Sequence, residues 1–408
     1  MMKEIVLLGI ACVLCVACAS TGNRSKETEA EWKEKNLAVY EPVLLASFSD
    51  SINHARSSYK NRTPTYALYT EAQIVGIAES MLYLQNPDGG WKKNYDQARI
   101  YYRNELEGLK KSLQNVPPLT YQKKTNNQQS TLDNRNIYSQ IAYLSQVYQQ
   151  VPDPRYKECV LRALEWIFNA QHPVSGGWTG SDVYGITYND EVMTGTMETL
   201  RDIANGLPQY QYLGKKVQQR AKVAYERALQ CVMNTQIKIP QADGSELLTA
   251  WCQQHDHETL QPIWARAFEP PSITTSESVA LVLMLMEEPN PSEELKKCIS
   301  AACDFLLRDE LILKGKRLLR EKKAGVYLDG KYYDFEQTLV DDENAPALWA
   351  RMYDMKTLKP VWCDRNKKIC ADFNDMSLER RNGYSYTGKW VEKIREPYAQ
   401  WKAKFISQ

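Results

Sequence analysis

Apolar residues recur at steps of three and four along most of the chain, which is the period of an amphipathic helix. The first clear stripe covers residues 74–84 and ends in the string QNPDGGW at 85–91, where Pro and Gly stop a helix. A second stripe at 161–168 ends in a similar string, QHPVSGGW, at 171–178. The tryptophans that close the two strings lie 87 residues apart, and a weaker third copy leads to Trp251. The chain is therefore predicted to repeat a helix followed by a tryptophan loop.

Between these loops the same period predicts pairs of helices joined by short Pro- or Gly-containing turns. The predicted pairs are 141–151 with 155–171, 193–203 with 217–236, and 279–286 with 293–308. Ser292 is the expected N-cap of the last helix. Strand signals are few, at 325–328 and 361–362. A supersecondary repeat of this kind indicates an all-α toroid of αα-hairpins, with a straight solenoid as the alternative, since the period alone does not separate them.

Composition excludes several classes of protein. The 408 residues contain 51 Lys and Arg against 50 Asp and Glu, so the formal net charge is only +1. A protein that binds nucleic acid through a global basic field would be far more positive. With 43% hydrophobic and 25% charged residues, the chain is an ordinary globular protein. The 25 Tyr and 10 Trp against 7 Phe fit a half-wet carbohydrate groove, or helix packing with exposed hydroxyls.

The N-terminus is typical of an export signal. The apolar run at 5–16 is shorter than the roughly 20 residues that span a bilayer, and it fits the core of a signal peptide. The string CVAC at 15–18 resembles a bacterial lipobox, with Cys15 where Leu is usual, so lipidation of Cys18 is expected. Plain secretion is the second choice. The expected product is a cell-envelope lipoprotein, in the periplasm or on the surface, anchored to the outer membrane.

This interpretation divides the chain into four parts. They are a signal peptide with lipobox at 1–18, a tether and N-terminal extension at 19–60, a toroid domain at 61–395 and a C-terminal tail at 396–408. Seven cysteines remain after residue 18, and none is in a CxxC pair, so buried free thiols are expected. A Cys363–Cys370 disulfide is the alternative in an oxidising compartment.

Two Asp-Asn pairs fall just before predicted helices. They are Asp133-Asn134 in the string TLDN and Asn189-Asp190 in the string ITYND. Each residue could simply cap its helix, because Asp and Asn lead that position. In a ring of hairpins, however, the inner helices begin on one face, so both pairs would converge there. Converging carboxylate and amide oxygens form a site for a hard cation such as Ca2+.

A third polar string, at 249–256, is followed by ARAFEP at 265–270. The two His of its HDH sequence are only two residues apart, so a structural role is favoured over metal binding. Arg266 is enclosed by apolar neighbours, and an Arg in such a string must be paired or lie in a wet cleft. Glu269 and Glu277 are its candidate partners. Arg381, in the string ERRNGY, is either solvated or part of a clamp on an anion.

The chain resembles the pectate lyases of polysaccharide lyase family ten over about residues 66–390. The strings that carry the resemblance are QNPDGGWKKN at 85–94, TLDN at 131–134, ITYND at 186–190, TAWCQQHDHETLQPIWARAFEP at 249–270, SESV at 276–279, APALWARMY at 345–353 and ERRNGY at 379–384. The resemblance implies an (α/α)3 toroid. It also implies β-elimination on polygalacturonate, in which a base removes the C5 proton of a galacturonate, the C4 glycosidic oxygen leaves, and Ca2+ bridges the uronate carboxylate.

The resemblance also assigns roles to individual residues. Arg266 would be the base, which requires strong stabilisation of its neutral form or a transient proton transfer, because Arg is normally protonated. Asp133 and Asp190 would organise the calcium site. The residues implied to bind substrate are Asn134, Lys93, Trp178, Arg351, Arg381 and Tyr384. The implied partner is polygalacturonate or a related acidic polysaccharide, nucleic acid is not expected, and the protein is expected to be a monomer.

The departures from the family pattern surround the expected cleft. The usual run of small residues after the first Asp-Asn is replaced by RNIYS at 135–139, and Glu191 stands where Asn is usual. The loops after the GGW strings also differ, at 92–94 and 179–182. These changes leave two alternatives to an endo-acting calcium-dependent lyase. One is a glycan-binding protein derived from a lyase. The other is a uronate-specific glycoside hydrolase on the same fold, using Glu269 and Asp256 as acid and base.

Overall fold

The structure is a computed structural model that describes residues 28–117 and 128–406. The expected signal peptide, its lipobox and Cys18 lie outside these residues. The helices, in chain order, are α1 (Glu29–Leu37), α2 (Ser49–Ala55), α3 (Ile74–Leu84), α4 (Arg103–Leu113), α5 (Tyr138–Gln150), α6 (Pro154–Ala170), α7 (Val192–Ala204), α8 (Lys215–Thr235), α9 (Thr275–Met286), α10 (Glu293–Leu306), α11 (Leu378–Gly383) and α12 (Glu392–Phe405).

The three predicted αα-hairpins are confirmed as α5–α6, α7–α8 and α9–α10. The first helices of the hairpins contact one another in order, α5 with α7 and α7 with α9. Helix α3 packs against both α5 and α6, and α12 packs against both α9 and α10. Ser292 caps α10 as predicted, since its hydroxyl accepts a hydrogen bond from the Leu295 N–H at 3.2 Å. The fold is the predicted all-α toroid.

The same hydrogen bond ends each helix that precedes a tryptophan loop. Helices α3, α6 and α8 end at a Gln, and the indole that follows donates to a carbonyl in the last turn of the helix. These bonds run from Trp91 to Met81 at 2.8 Å, from Trp178 to Ile167 at 2.9 Å and from Trp251 to Val232 at 2.8 Å. Because the last four carbonyls of a helix lack partners within it, each indole satisfies one of them.

The glutamine at the end of α3, α6 and α8 forms a hydrogen bond to the next helix of the series α3, α6, α8 and α10. The side-chain amide of Gln85 donates to the Cys159 carbonyl of α6, that of Gln171 to Ala224 of α8, and that of Gln236 to Cys298 of α10. The repeat also explains the glycines in the loops. Gly89 has a φ of +97°, and a Cβ there would lie 2.4 Å from the Arg162 carbonyl oxygen, so only glycine fits.

Most strands are two- or three-residue pairs that pin loops together: β1 (Ile186–Thr187), β2 (Lys238–Pro240), β3 (Glu246–Leu248), β4 (Gln254–His255), β5 (Ile273–Thr274), β8 (Trp349–Ala350), β9 (Met352–Tyr353), β10 (Trp362–Cys363), β11 (Ile369–Cys370) and β12 (Thr387–Gly388). The exception is a long antiparallel hairpin of β6 (Lys316–Leu328) and β7 (Lys331–Asp341). The predicted strand at 325–328 is the tip of this hairpin.

Both ends of the described chain pack on the toroid. Helix α1 begins at Glu29 and buries Trp32, so the predicted tether does not extend through this helix. The predicted C-terminal tail from residue 396 is also wrong, because α12 continues to Phe405 and buries Tyr398 and Trp401 against the body. Their apolar area, removed from water, is what holds both helices in place.

The cysteines behave as small hydrophobic residues. All seven in the described chain are buried free thiols: Cys159, Cys231, Cys252, Cys298, Cys303, Cys363 and Cys370. In the β10–β11 pair, Cys363 faces Ile369 and Cys370 faces Trp362. Since neighbouring residues of a strand point to opposite faces, the two thiols lie on opposite sides of the pair, and the alternative of a disulfide between them is wrong. No helix among the described residues is long and apolar enough to span a membrane.

Candidate active site

One polar cleft of about 530 Å³ lies over the face where α5 and α7 begin. The loops that precede these helices contribute Asn134 and Asp190, and the loop before α9 contributes Arg266. The β6–β7 hairpin and the segment around α11 form one wall. Asp50 and His54 of α2 form part of the opposite wall, so the N-terminal extension contributes to the cleft. Loops at one end of the hairpins thus converge, as the repeat predicted.

The two loops with Asp-Asn pairs share an unusual backbone. Asn134 and Arg135 have φ values of 55° and 58°, and Asp190 and Glu191 have 52° and 57°. No side chain caps α5 or α7, so the interpretation of these residues as helix caps is wrong. The left-handed conformation is costly for residues other than glycine, and Asn134 and Asp190, which adopt it, line the cleft. Arg135 and Glu191, which both depart from the family pattern, form an ion pair with each other between the loops.

The carboxyl groups of Asp133 and Asp190 lie within hydrogen-bonding reach of each other. The Lys93 ammonium group donates to Asp133 and, at 2.7 Å, to the Ser181 hydroxyl. The Ser181 hydroxyl in turn donates to Asp133. Burial alone would raise the pKa of Asp133, but Lys93 outweighs it and the pKa lies below its ordinary value. Burial, together with the Asp133 charge, holds the pKa of Asp190 well above its ordinary value. Of the two carboxyl groups, Asp133 is therefore the one that keeps its charge more readily.

The chemistry of these donors fits a hard cation. Ca2+ prefers oxygen ligands and carboxylates above all. Burial and the neighbouring Asp133 charge both raise the pKa of Asp190, and a divalent cation would remove the repulsion between the two carboxylates. Lys93 is the competing cation, and it contacts only Asp133 of the two. The residues that would hold the ion are Asp133 and Asp190, and their role as ligands stays a prediction.

Arg266 is held by the carboxylate of Glu269, one turn further along the same loop. Its Nε donates to Oε2 at 2.8 Å and its Nη2 to Oε1 at 2.5 Å, while its backbone N–H also donates to Oε2 at 3.0 Å. Glu269 is 1% exposed, whereas the Arg266 side chain is 36% exposed. Burial alone would lower the pKa of Arg266, but Glu269 outweighs it and the pKa lies above its ordinary value. The cleft thus contains a fixed arginine cation.

Arg351 occupies a second buried ion pair. Its Nε donates to Oε1 of Glu277 at 2.9 Å, and its Nη2 contacts both Glu277 and the Asn189 side chain. Glu277, a candidate partner of Arg266, is therefore the partner of Arg351 instead. The Arg351 guanidinium lies 4.4 Å from the ring centroid of Tyr384, so the aromatic face covers it from one side.

A hydrogen-bonded network joins these groups across the cleft floor. The Tyr384 hydroxyl donates to Glu269 at 3.0 Å and accepts from the Gln253 amide at 2.7 Å. Gln253 also donates to Glu277 at 3.2 Å. From Arg351 the network continues through Asn189, whose amide donates to Asp190 at 3.0 Å. The predicted base and the predicted metal ligands therefore belong to one connected set of polar groups.

Two predicted substrate-binding residues make structural contacts in the protein. Trp178 is fully buried as the anchor of α6, so it has no face to present to a sugar, and that prediction is wrong. Arg381 lines the cleft, but its guanidinium donates to Gln337 at 3.1 Å and to Glu336 at 2.7 Å. It therefore fastens α11 to the hairpin strand, and its predicted contact with a substrate carboxylate stays a prediction.

The remaining predicted residues come together. Asn134, Arg351 and Tyr384 line the cleft, and Lys93 is paired with Asp133. Sequence reasoning missed Gln253 and the Asp50–His54 wall. A signal for Gln253 exists in the sequence, because Lys93, Gln253 and Arg351 each stand two residues after a buried tryptophan.

The His255 and His257 side chains hold loops. His255 accepts a hydrogen bond from the Cys252 N–H at 3.0 Å and lies 3.0 Å from the Leu260 carbonyl, while His257 contacts Ser175 and Thr179 at 2.8 Å each. Burial lowers the pKa of both to about 4, so both rings are neutral near pH 7. Asp256 accepts hydrogen bonds from its own turn and does not line the cleft, so it is not an acid–base partner of Glu269.

The fold is an α/α toroid, and its cleft holds arginines, a carboxylate and aromatic side chains, a surface that suits an anionic ligand. Comparison with known proteins identifies the family. The family model described as pectic acid lyase matches residues 85–395, and the chain belongs to this family of polysaccharide lyases.

Two solved structures show the same fold. One is a family 10 polysaccharide lyase from Cellvibrio cellulosa, with a TM-score of 0.62. The other is a mutant of a family 10 polysaccharide lyase from the same organism in complex with trigalacturonic acid, with a TM-score of 0.61. Each is 23% identical, and the alignment covers 88% of this chain and 98% of the other. A search of the curated proteins finds no match.

Proposed function

We propose that this polysaccharide lyase cleaves polygalacturonate by β-elimination, with Arg266 at C5 of the reacting galacturonate. The observation that supports the proposal most directly is the pairing of Arg266 with Glu269. It uses Nε and Nη2 of the guanidinium, and Nη1 has no hydrogen-bond partner among the described residues. Arg266 therefore offers one free nitrogen to the cleft. Trigalacturonic acid, bound by the related Cellvibrio enzyme, belongs to the substrate class that we propose.

The proposed calcium site lies on Asp133 and Asp190. Bound there, Ca2+ would neutralise a uronate carboxylate and so make the adjacent C5 proton more acidic. Asp133 and Asp190 would both hold the ion as ionised ligands. Lys93 would keep Asp133 in place and balance its charge. Pectate lyases in general depend on calcium, which agrees with this assignment.

Arg351 and Tyr384 would position the sugar chain. Arg351 has 13% of its side chain exposed. Its guanidinium would attract a uronate carboxylate at close range. The ring of Tyr384 can bear one face of a sugar, while its hydroxyl stays in the network. Asn134, whose amide donates to Asn94 at 2.6 Å, would offer its oxygen to a sugar hydroxyl.

The test is an elimination assay on the purified protein. Polygalacturonate is incubated with enzyme and Ca2+, and the ultraviolet absorbance of the unsaturated product is followed. We expect a rising absorbance with the native sequence, and loss of that rise in Arg266→Ala or after chelation of calcium. No rise under any condition would refute the lyase function. We further propose the cell envelope as the site of action, with lipid on Cys18, and metabolic labelling with a fatty acid would test this against a Cys18→Ala control.

A further inference from the structure

The β6–β7 hairpin turns one of its two faces to the cleft. Leu318 of β6 lines the cleft, as do Lys331 and Gln337 of β7. Side chains alternate between the two faces of a strand, and residues paired across an antiparallel ladder share a face. Arg320 pairs with Gln337, so it belongs to the same face. We call this the cleft face, and the register gives its members as Leu318, Arg320, Lys322, Val326, Leu328, Lys331, Tyr333, Phe335, Gln337 and Leu339.

The cleft face carries positive charge and no carboxylate. Arg320, Lys322 and Lys331 are exposed cations, and the other members of this face are uncharged. The carboxylates of the two strands in this stretch all belong to the opposite face: Glu321, Asp334 and Glu336. The hairpin therefore separates positive from negative charge between its two faces.

The arginines that line the cleft are already paired with glutamates. These ion pairs are Arg266 with Glu269, Arg351 with Glu277, Arg365 and Arg380 with Glu379, and Arg381 with Glu336. The cations that the hairpin uses in its own ion pairs are Lys316, Arg317 and Lys323. Among the described residues, Arg320, Lys322 and Lys331 have no carboxylate partner. The cleft face thus holds positive charge that can meet the carboxylates of a ligand.

We propose that the cleft face binds carboxylates of an acidic polysaccharide on sugar units beyond the one that reacts at Arg266, and so gives the enzyme a preference for long chains. The proposal rests on the lyase function proposed above and adds subsites for the same substrate. Lys331 and Gln337 lie six residues apart on β7, so the face extends about 20 Å along the strand. Because Leu318 near the base and Lys331 at the tip both line the cleft, a chain leaving the cleft along this wall would meet the cations in turn.

Arg320 is the cation of this face whose position is best defined. Its guanidinium carbon lies 3.5 Å from the ring centroid of Phe335, so the aromatic ring covers one side of the group. The side chain is otherwise exposed, and its edge can donate two parallel hydrogen bonds to a uronate carboxylate. A guanidinium already stacked on a ring loses less side-chain freedom when it binds. Arg320 is therefore expected to contribute most to binding of the distal sugars.

The test removes two of these cations and compares the polymer with a short substrate. Arg320→Gln/Lys331→Gln should raise KM for polygalacturonate by about 2–25-fold, since one exposed ion pair contributes about 1.4- to 5-fold in affinity. KM for the shortest oligogalacturonate that the native enzyme cleaves should stay at the native value, because that substrate has no distal units. Added NaCl should raise the polymer KM of the native enzyme more steeply than that of the variant, because salt screens exposed charges.

Arg317→Gln/Lys323→Gln is the matched control. It removes one Arg and one Lys from the opposite face of the same hairpin, where they pair with Asp342 and with Glu336. Its polymer KM should stay at the native value. Arg320→Lys/Lys331→Arg keeps both charges on the cleft face and should also keep a polymer KM close to the native one, whereas an increase as large as in the Gln variant would overturn the proposal.

The outcomes separate the two proposals. Native enzyme that forms no unsaturated product would refute the lyase function, and calorimetry with intact polygalacturonate would then test the hairpin alone. Weaker binding by Arg320→Gln/Lys331→Gln than by the native protein would support the subsites, and equal or absent binding would overturn them. With active native enzyme, an unchanged polymer KM in that variant, or an equal increase in the control or on the short substrate, would overturn the subsites. If the double variant does not fold in urea titrations, Lys331→Gln alone decides: a higher polymer KM supports the subsites, and the native KM overturns them.

Discussion

Trp178 offers a sharp test of the repeat that builds the toroid, because sequence and structure give it different roles. Its side chain has no exposed surface, and its indole donates to the Ile167 carbonyl at 2.9 Å in the last turn of α6. In Trp178→Phe, that carbonyl loses its partner away from water, which costs about 1–3 kcal/mol. The smaller ring also leaves a cavity. Since Trp→Ala in a core costs about 3–5 kcal/mol, we expect about 2–4 kcal/mol in total for Phe.

The assay is unfolding in urea, followed by the activity of the variant at a concentration where it is fully folded. The free energy of unfolding should fall by the amount above, while KM for polygalacturonate stays at the native value. Trp91→Phe is the matched control, since its indole makes the equivalent bond to Met81 at 2.8 Å, and it should lose a similar amount. Tyr327→Phe, on a side chain with 75% exposure at the tip of the hairpin, should lose almost nothing.

A substrate-binding role for Trp178 would give the opposite result. KM would increase several-fold in Trp178→Phe, and the free energy of unfolding would stay at the native value. Either finding would refute the account of the tryptophans as helix anchors.

Three further predictions follow from buried groups. Glu277→Ala leaves the Arg351 cation buried without its carboxylate, so the free energy of unfolding in urea should fall by about 3–5 kcal/mol, and no change would contradict the pairing. The pKa values of His255 and His257 are lowered to about 4 by burial, whereas the unfolded chain protonates near its ordinary 6.5. The unfolded state therefore binds more protons, and stability should fall as the pH drops from about 6.5 to about 4, which thermal unfolding across this range will measure. The seven buried thiols should react with a thiol reagent only after denaturation, and rapid reaction of the native protein would contradict their burial.

The helical part of the fold was accessible from sequence because its helices alternate apolar and polar faces. The β6–β7 hairpin was not, since its strands carry charged residues on both faces and much of their length is exposed. No apolar alternation marks such strands. Helix α12 was missed for a similar reason, as it is rich in charged residues and contains Pro397, and only three of its side chains are buried.

The sequence predicted which residues meet in the candidate site better than it predicted their hydrogen-bond partners. Asp133, Asp190, Arg266 and Arg351 come together as expected, because the repeat places their loops at one end of the hairpins. Their partners could not be predicted from local patterns. Arg351 reaches Asn189 across 162 residues of sequence, and Tyr384 reaches Gln253 across 131. Trp178 was misassigned because an aromatic residue beside a glycine loop fits a sugar platform and a helix anchor equally well.

The mass of the products from polygalacturonate tests the central claim most directly. Elimination leaves each new non-reducing end lighter by one water molecule than hydrolysis does. The account predicts unsaturated oligogalacturonates of this lower mass with the native sequence, and intact polymer with Arg266→Ala. Saturated products, or unsaturated products formed at the native rate by Arg266→Ala, would contradict it.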